Sequence, residues 1–418
     1  MTATVIGAGP VGLLTTLRLA RAGIPVTCLD ALPAIDASPR AMAYHPIAVQ
    51  ELDRAGVLSD CRRPGSTGRG ICWRKTLDKE IIAFIERTPT PEFPYENLVI
   101  GQHELAEVIL RHLEGLGCAE VRFGTKVVGV EQSPDSEVVT LTVETPDGRT
   151  ETIPSTYAVA ADGGRSAMRR LLDIPFEGFT YPEQLVSTNV RFDFEAHGWM
   201  DGNFMVDPEH WALIGRITND GLWRVSYGEK AGLSDEEIRA RMAWKFEQMF
   251  PGERPLKWEL EQMSPYRLNQ RCAGRFREGR VVLAGDAAHL CNPFGGLGLC
   301  GGILDAAALS DALIAIHEGK ASDSILDVYA EERRKTFLEI VNPTSQANKE
   351  RMHDPDPETL GDRDPFLNML RGASKEEKQR VRQNTKLALD VSQYLDERIN
   401  GVHLNGDRVA ASQEGLVR

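Results

Sequence analysis

The stretch Thr4-Val5-Ile6-Gly7-Ala8-Gly9-Pro10-Val11-Gly12 decides how the first hundred-odd residues of this chain organise. Thr4, Val5 and Ile6 are β-branched and favour a strand. Apolar residues then recur at Val11, Leu14, Leu17 and Leu19, close to helical spacing. Gly23 stops that helix and Pro25 follows it. Val26 to Leu29 reads as a second buried strand, ending at Asp30. The whole is a strand, turn, helix, strand unit with a Gly-x-Gly-x-x-Gly turn. Gly7 permits the tight turn, Gly9 lets backbone N–H groups approach an anion, and Gly12 lets the helix pack closely on the strand. Pro10 and Val11 open a helix whose N-terminus carries partial positive charge. Asp30 is placed to accept hydrogen bonds from a ribose. These features describe the pyrophosphate end of a dinucleotide site, without telling one dinucleotide from another.

Outward from that unit, a helix is expected around His103 to Leu116, after Gly101-Gln102. Strands near Val121 and Val127 follow, and Pro146-Asp147-Gly148 turns a hairpin between Val138–Val143 and Arg149–Ile153. Tyr157 to Ala161 is another apolar strand. From about Pro175 to Pro265 the character changes to extended segments around Val186–Phe194, Phe204–Val206, Trp211–Ile217 and Leu222–Tyr227. They read as an antiparallel sheet, interrupted by a helix over Asp235 to Phe250. Val281 to Ala284 returns to buried parallel-strand character, with helices from about Cys300 to His317 and from Ser322 to about Ile340. The tail beyond Asn342 is charged and mostly helical. The expected division is therefore an α/β domain from residues 1–174 and 266–340, an inserted β-sheet domain over 175–265 and a helical C-terminal region over 341–418.

Two more glycine-rich segments sit at strand ends. Gly285-Asp286-Ala287-Ala288-His289 follows Val281-Val282-Leu283-Ala284 and leads into Pro293-Phe294-Gly295-Gly296-Leu297-Gly298-Leu299-Cys300. This is again a helix N-terminus wrapped in exposed amides. It suits a second polar part of a large cofactor, with Asp286 on a polyol hydroxyl and the amides of Gly298, Leu299 and Cys300 on an electron-rich ring edge. Ala161-Asp162-Gly163-Gly164-Arg165-Ser166 also follows a strand and precedes a helix. His289 reads as a structural hydrogen-bonding residue rather than an acid or base.

Composition narrows the classes. A net charge of −13 argues against nucleic acid as a partner. No run of about 18 apolar residues is present, so no membrane span is expected. The seven cysteines are scattered and none forms a Cys-x-x-Cys pair, which suits reduced thiols and a cytoplasmic chain. No His/Cys cluster has metal-ligand spacing, so no metal is expected.

The three glycine-rich segments, in this order and spacing, resemble the group A flavoprotein monooxygenases, the p-hydroxybenzoate hydroxylase-like aromatic hydroxylases. The likeness covers roughly residues 3 to 340, and Ala-Asp-Gly-Gly-Arg-Ser and Ala-Gly-Asp-Ala-Ala-His are highly specific to that superfamily. It implies an FAD-binding Rossmann-like domain of the glutathione-reductase and hydroxylase type, with the inserted sheet as substrate domain. Ser38-Pro39-Arg40-Ala41 is similar to a family loop whose arginine contacts the cofactor, which points to Arg40. Gln102 matches a glutamine near the ribityl chain, Val127 an adenine contact, and Asp162 a segment linked to both FAD and NAD(P)H. Pro293 and Gly296 complete the implied cofactor set, with Pro293 also beside the substrate. The implied activity is hydroxylation of an electron-rich aromatic, usually a phenolate, by NAD(P)H and O2 through a flavin C4a-hydroperoxide. A homodimer is common in that family.

Departures from the family pattern bear on the site. The usual Gly-Leu-Asn is Gly298-Leu299-Cys300 here, which keeps backbone contacts and loses an asparagine side chain. Period-2 alternation after Asp207-Pro208 puts Leu213, Gly215 and Ile217 on the expected substrate face, all apolar or without a side chain. The substrate is therefore expected to lack the benzoate carboxylate arrangement, or to be larger and more apolar. Phe204 and, on the next strand, Trp223, Val225 and Tyr227 are candidate walls, with Tyr227 the candidate to help deprotonate a phenol. Aromatics that merely fill the sheet interface are the competing reading for the same residues. A halogenase shares the fold, but no two of the six tryptophans are two apart, as its motif requires. A flavin reductase or dehydrogenase is a further enzymatic alternative. A non-enzymatic interaction protein on this fold is disfavoured by the intact Asp162 and Asp286 segments.

Overall fold

The computed structural model describes residues 1–38, 40–65, 70–75, 80–86, 94–133, 136–383 and 385–395. Pro39 and the last part of the expected helical tail, 396–418, lie outside the described residues. At the centre of the first domain is a sheet in the order Arg277–Glu278, Val281–Leu283, Tyr157–Ala160, Ala3–Ile6, Val26–Leu29, Ala119–Arg122. All neighbours are parallel except the hairpin at the Arg277 edge. Its middle strands are largely apolar because the sheet is buried in one core, shared with the helices Pro10–Arg21 and Leu297–His317 and with Val139, Leu141 and Val143 of a neighbouring strand. Pro10–Arg21 and Leu297–His317 pack on it. The second of these helices is long and apolar enough to cross a membrane, but 78% of that stretch is buried inside the fold, as befits a core helix.

Parallel order has a direct consequence for the motifs. Gly7 follows Ala3–Ile6, Asp30 follows Val26–Leu29, Asp162 follows Tyr157–Ala160 and Asp286 follows Val281–Leu283. These four strands are consecutive neighbours, so segments nearly 280 residues apart emerge at one sheet edge, at their carboxyl ends.

A second sheet has eight strands, in the order His289–Leu290, Glu259–Ala273, Phe176–Arg191, Leu222–Lys230, Ala212–Arg216, Gly202–Val206, Gly70–Lys75, Ile81–Glu86. It is wider than the expected 175–265 insertion. Gly70–Lys75 adds parallel to Gly202–Val206, bringing its hairpin partner Ile81–Glu86 to the edge. Phe176–Arg191 and Glu259–Ala273 are long paired strands, running back to the first domain. One face of the sheet is covered by the helix Asp235–Met249. The other faces the cleft. A three-stranded sheet, Lys126–Glu131, Val139–Glu144 and Thr150–Ser155, stands beside the first domain. Beyond Ile325 the chain is mostly helical through Gln383; Ile325–Thr336 packs into the first domain, and the helices from Asn342 onward pack against the strands at the 70–86 side of the second sheet. All seven cysteines are free thiols.

Candidate active site

One cleft of about 1940 Å³ runs from the strand ends of the first sheet to the open face of the second. That exceeds the roughly 300–1,000 Å³ of an ordinary single-ligand pocket. At one end Gly7, Gly9, Pro10 and Val11 form its wall. Gly7 has φ +105, and a Cβ there would stand 2.2 Å from the Ala161 carbonyl oxygen, so only glycine lets these two loops approach. Gly12 does not line the cleft. A Cβ on it would meet the Gly7 carbonyl oxygen at 1.8 Å, so it serves helix packing, as its place in the motif requires. At Gly9 a Cβ would meet nothing within 4 Å, which leaves the helix N-terminus open to the cleft. Asp30 lines the cleft and also braces the turn, accepting from Ala8 N–H at 2.6 Å and Leu32 N–H at 2.8 Å.

Asp162, Arg40, Gln102 and Val127 also line the cleft. One carboxylate oxygen of Asp162 accepts from Ala167 N–H (2.7 Å) and Met168 N–H (3.1 Å). The other is buried with no hydrogen-bond partner among the described residues, so a donor on a bound ligand would complete it. Burial raises the Asp162 carboxyl above its ordinary range, against the hydrogen bonds that lower it. Arg40 donates to Asp36 at 2.9 Å and to Ser38 at 3.1 Å. Its carbonyl accepts from Arg224, a buried side chain that sequence reasoning missed. Arg224 also donates to Asn189 Oδ1 at 2.7 Å, and burial lowers its guanidinium to about 10.

Further along, Asp286, Pro293, Gly296, Gly298 and Leu299 line the cleft at the start of the long helix. Asp286 is accessible from the cleft yet ringed by protein, and that burial raises its carboxyl, with His289 and Arg40 opposing. Beneath it, Asp305 accepts from Gly285 N–H at 2.9 Å, from His289 Nε2 at 2.7 Å and from Arg333 Nε at 2.6 Å. This buried triad fixes the Gly285 turn, so His289 is part of a supporting network. Cys300 is expected to offer its backbone amide as the contact, without an asparagine side chain. Its side chain is fully buried and points away from the cleft, where Sγ accepts from His45 N–H at 3.3 Å. Burial pushes its thiol up to about 12.

At the substrate end, Phe204, Leu213 and Gly215 line the cleft as expected. A Cβ at Gly215 would meet Met42 Cε at 3.0 Å, so the missing side chain admits Met42 to this wall. Trp223, Val225 and Tyr227 do not line it. Leu213 pairs with Ser226 and Gly215 with Arg224, so those partners share the cleft face. Trp223, Val225 and Tyr227 lie one residue out of step and face the opposite side, packed with Phe246 of the covering helix and with Phe250 just past its end. A one-residue register difference exchanges the faces of a strand. The Tyr227 hydroxyl is buried without a hydrogen-bond partner among the described residues, and burial, with Glu229 adding to it, raises its pKa well above 10. It is a core residue and not a catalytic one. The walls that sequence reasoning missed are Trp73 and Ile85, from the edge strands, and residues of the helix Asn342–Met352. Trp73 stacks on Phe204 at 5.2 Å, with an interplanar angle of 11°. No group of three or more metal-ligating side chains is present among the described residues.

Residues 1–344 match the family described as FAD binding domain. Across 357 residues the chain is 44% identical to para-nitrophenol 4-monooxygenase from a Pseudomonas strain, covering 84% of this chain and 87% of that one. It is 39% identical to a 6-hydroxy-3-succinoylpyridine 3-monooxygenase from Pseudomonas putida, over 89% of this chain and 93% of that one. The crystal structure of a p-nitrophenol 4-monooxygenase from Pseudomonas putida superposes with a TM-score of 0.86 at 38% identity, covering 92% of this chain and 97% of that one. The three glycine-rich segments at one sheet edge, the sheet facing them and these likenesses agree: the chain belongs to the FAD binding domain family, as a group A flavoprotein aromatic hydroxylase.

Proposed function

We propose that this FAD-dependent enzyme uses NAD(P)H and O2 to hydroxylate a phenol at the ring carbon para to its hydroxyl. The observation that carries the reading is the single cleft that joins the four strand-end motifs to a chamber walled by Trp73, Phe204 and Leu213. When bound, FAD supplies electron uptake from NAD(P)H and the activation of O2.

The chain's own residues do the rest. The amides around Gly9 to Val11, at the helix N-terminus, take the pyrophosphate. Asp30 would accept from the adenosine ribose, and Val127 would face the adenine. Asp286, Gln102 and Arg40 would hold the polyol chain. The amides of Gly298, Leu299 and Cys300 would meet the ring edge, with Pro293 and Gly296 available beside them. Cys300 contributes packing against His45 in place of a side-chain contact. The apolar chamber holds the substrate ring flat and keeps water from the reacting carbon.

The position on the ring follows from what the two relatives are named for. Each name puts the oxygen on a ring carbon that carries a substituent and lies para to a hydroxyl. A para hydroxyl pushes electron density to that carbon. Addition of an electrophilic hydroxyl there, followed by breakage of the bond to the substituent, leaves a quinone. From 4-nitrophenol, the C–O bond forms, the C–N bond breaks and nitrite leaves with the bonding pair. NAD(P)H supplies the two electrons that reduce the second oxygen atom to water.

The test is aerobic NAD(P)H oxidation by the purified yellow protein, with phenols carrying different para substituents. The reading predicts accelerated oxidation with a phenol, and nitrite released one for one with 4-nitrophenol consumed. A protein that takes up no FAD, or whose NAD(P)H oxidation no phenol accelerates, would contradict it.

A further inference from the structure

The helix Asn342–Met352 presents Thr344, Ala347, Asn348 and Arg351 to the cleft. These are positions i, i+3, i+4 and i+7, one face of a helix. Three of the four lie beyond residue 344, where the family match ends. The shared FAD-binding part of the chain therefore does not specify this wall.

The stripe is aimed by a change in helix geometry. Ile325–Thr336 continues into a π-helical turn, Phe337–Val341, before the helix resumes at Asn342. Pro343 has no N–H to donate, and its ring would crowd the Glu339 carbonyl in an unbroken α-helix. The wider turn relieves that clash and re-aims the residues that follow.

The face is then braced from both ends. Asn348 Nδ2 donates to the Phe294 carbonyl at 3.1 Å, next to Pro293. Asn348 Oδ1 accepts from Arg351 Nη1 at 2.7 Å. Arg351 Nε donates to Asp364 at 2.7 Å, and Asp364 also caps the helix that carries Phe366. The guanidinium sits 4.7 Å over the Phe366 ring, whose edge meets Trp73 at 5.5 Å. Arg351 is thus fixed in the cleft wall beside the aromatic chamber. Its Nη2 has no hydrogen-bond partner among the described residues. With Nε and Nη1 already held, Nη2 is the one donor left, and it suits a single charge-assisted hydrogen bond to an oxygen acceptor. The charge on Asp364 already balances it, so a neutral acceptor, a nitro or a ketone oxygen, is the fitting ligand.

We infer that Arg351, held by Asn348 and Asp364, is the specificity residue that binds an oxygen-bearing acceptor substituent on the substrate ring, while Trp73, Phe204 and Phe366 hold the ring itself. The inference rests on the phenol hydroxylase reading above.

The experiment compares 4-hydroxyacetophenone with its hydrocarbon counterpart 4-isopropylphenol. Binding to the FAD-loaded enzyme is followed by flavin absorbance, and turnover by NAD(P)H oxidation. The wild type is expected to bind the ketone about 10-fold more tightly or better, the worth of one charge-assisted hydrogen bond. Arg351→Met is expected to abolish that preference by raising Kd and KM for the ketone alone. Kd for 4-isopropylphenol, which serves as a binding probe because its alkyl group cannot leave, and kcat for the ketone should stay within about 2-fold, and Arg351→Lys should restore part of the preference. Equal wild-type affinity for the two phenols would overturn the inference, and that arm stands even if a variant fails to hold FAD. Equal losses for both ligands in Arg351→Met would overturn it as well. A wild type that binds and turns over neither phenol would contradict the hydroxylase reading itself.

Discussion

At the Gly7–Val11 end of the cleft the wall is backbone, while at the Phe204–Arg351 end it is side chains. The first is drawn from four neighbouring parallel strands, and its geometry is set by Gly7 and Gly12, which admit no Cβ. The second is drawn from edge strands near Trp73, from two central strands and from helices after the family match ends. A backbone site tolerates few changes, because the same atoms make the fold and the ligand contacts. A side-chain site can be rebuilt residue by residue on an unchanged scaffold. On the proposed reading, the difference separates the end that would fix the cofactor from the end that would choose the substrate.

The largest way to break the comparison lies under the backbone end. Asp305→Ala would leave Arg333 and His289 buried without their carboxylate and free the Gly285 turn. A loss of about 3–5 kcal/mol is expected, read as a lower unfolding midpoint and a fall in bound FAD. Burial alone would raise the Asp305 carboxyl, but Arg333 and His289 outweigh it and hold it well below the usual range. A depressed carboxyl stabilises the fold above the ordinary Asp pKa of about 4, and that stability is lost as the pH falls below it. The gap in stability between wild type and Asp305→Ala should therefore be full at neutral pH and shrink in acid. A gap that grew on acidification would contradict the assignment.

The smaller test sharpens the substrate end. Tyr227 lies on the covered face of the sheet, and its hydroxyl has no hydrogen-bond partner among the described residues. Tyr227→Phe removes a polar group that contributes no hydrogen bond, so stability should change by less than about 1 kcal/mol and kcat/KM by less than about 2-fold. A loss of about 100-fold in kcat would return Tyr227 to the chemistry.

Legibility in the sequence followed the same division. Gly7, Asp30, Asp162 and Asp286 were readable because each motif is local and each follows a strand. The parallel topology then brings them together without further information. The substrate wall was half readable. Alternation placed Leu213 and Gly215 correctly within one strand, but the cross-strand register, which pairs Leu213 with Ser226, is a tertiary property. Trp73 was hidden because its strand pairs with one about 130 residues later. The Arg351 stripe was hidden because its polar residues look like a solvated helix face until the cleft is seen beside it. At Cys300 the sequence pointed to the backbone amide and not to the side chain, and the thiol turns towards His45.

The measurement that bears most directly on the central claim is turnover of a para-substituted phenol under isotopically labelled O2. The account predicts one labelled oxygen atom in the ring product, at the carbon para to the hydroxyl, with one NAD(P)H consumed for each product formed. NAD(P)H oxidation that yields only hydrogen peroxide, or a product whose new oxygen comes from water, would contradict it.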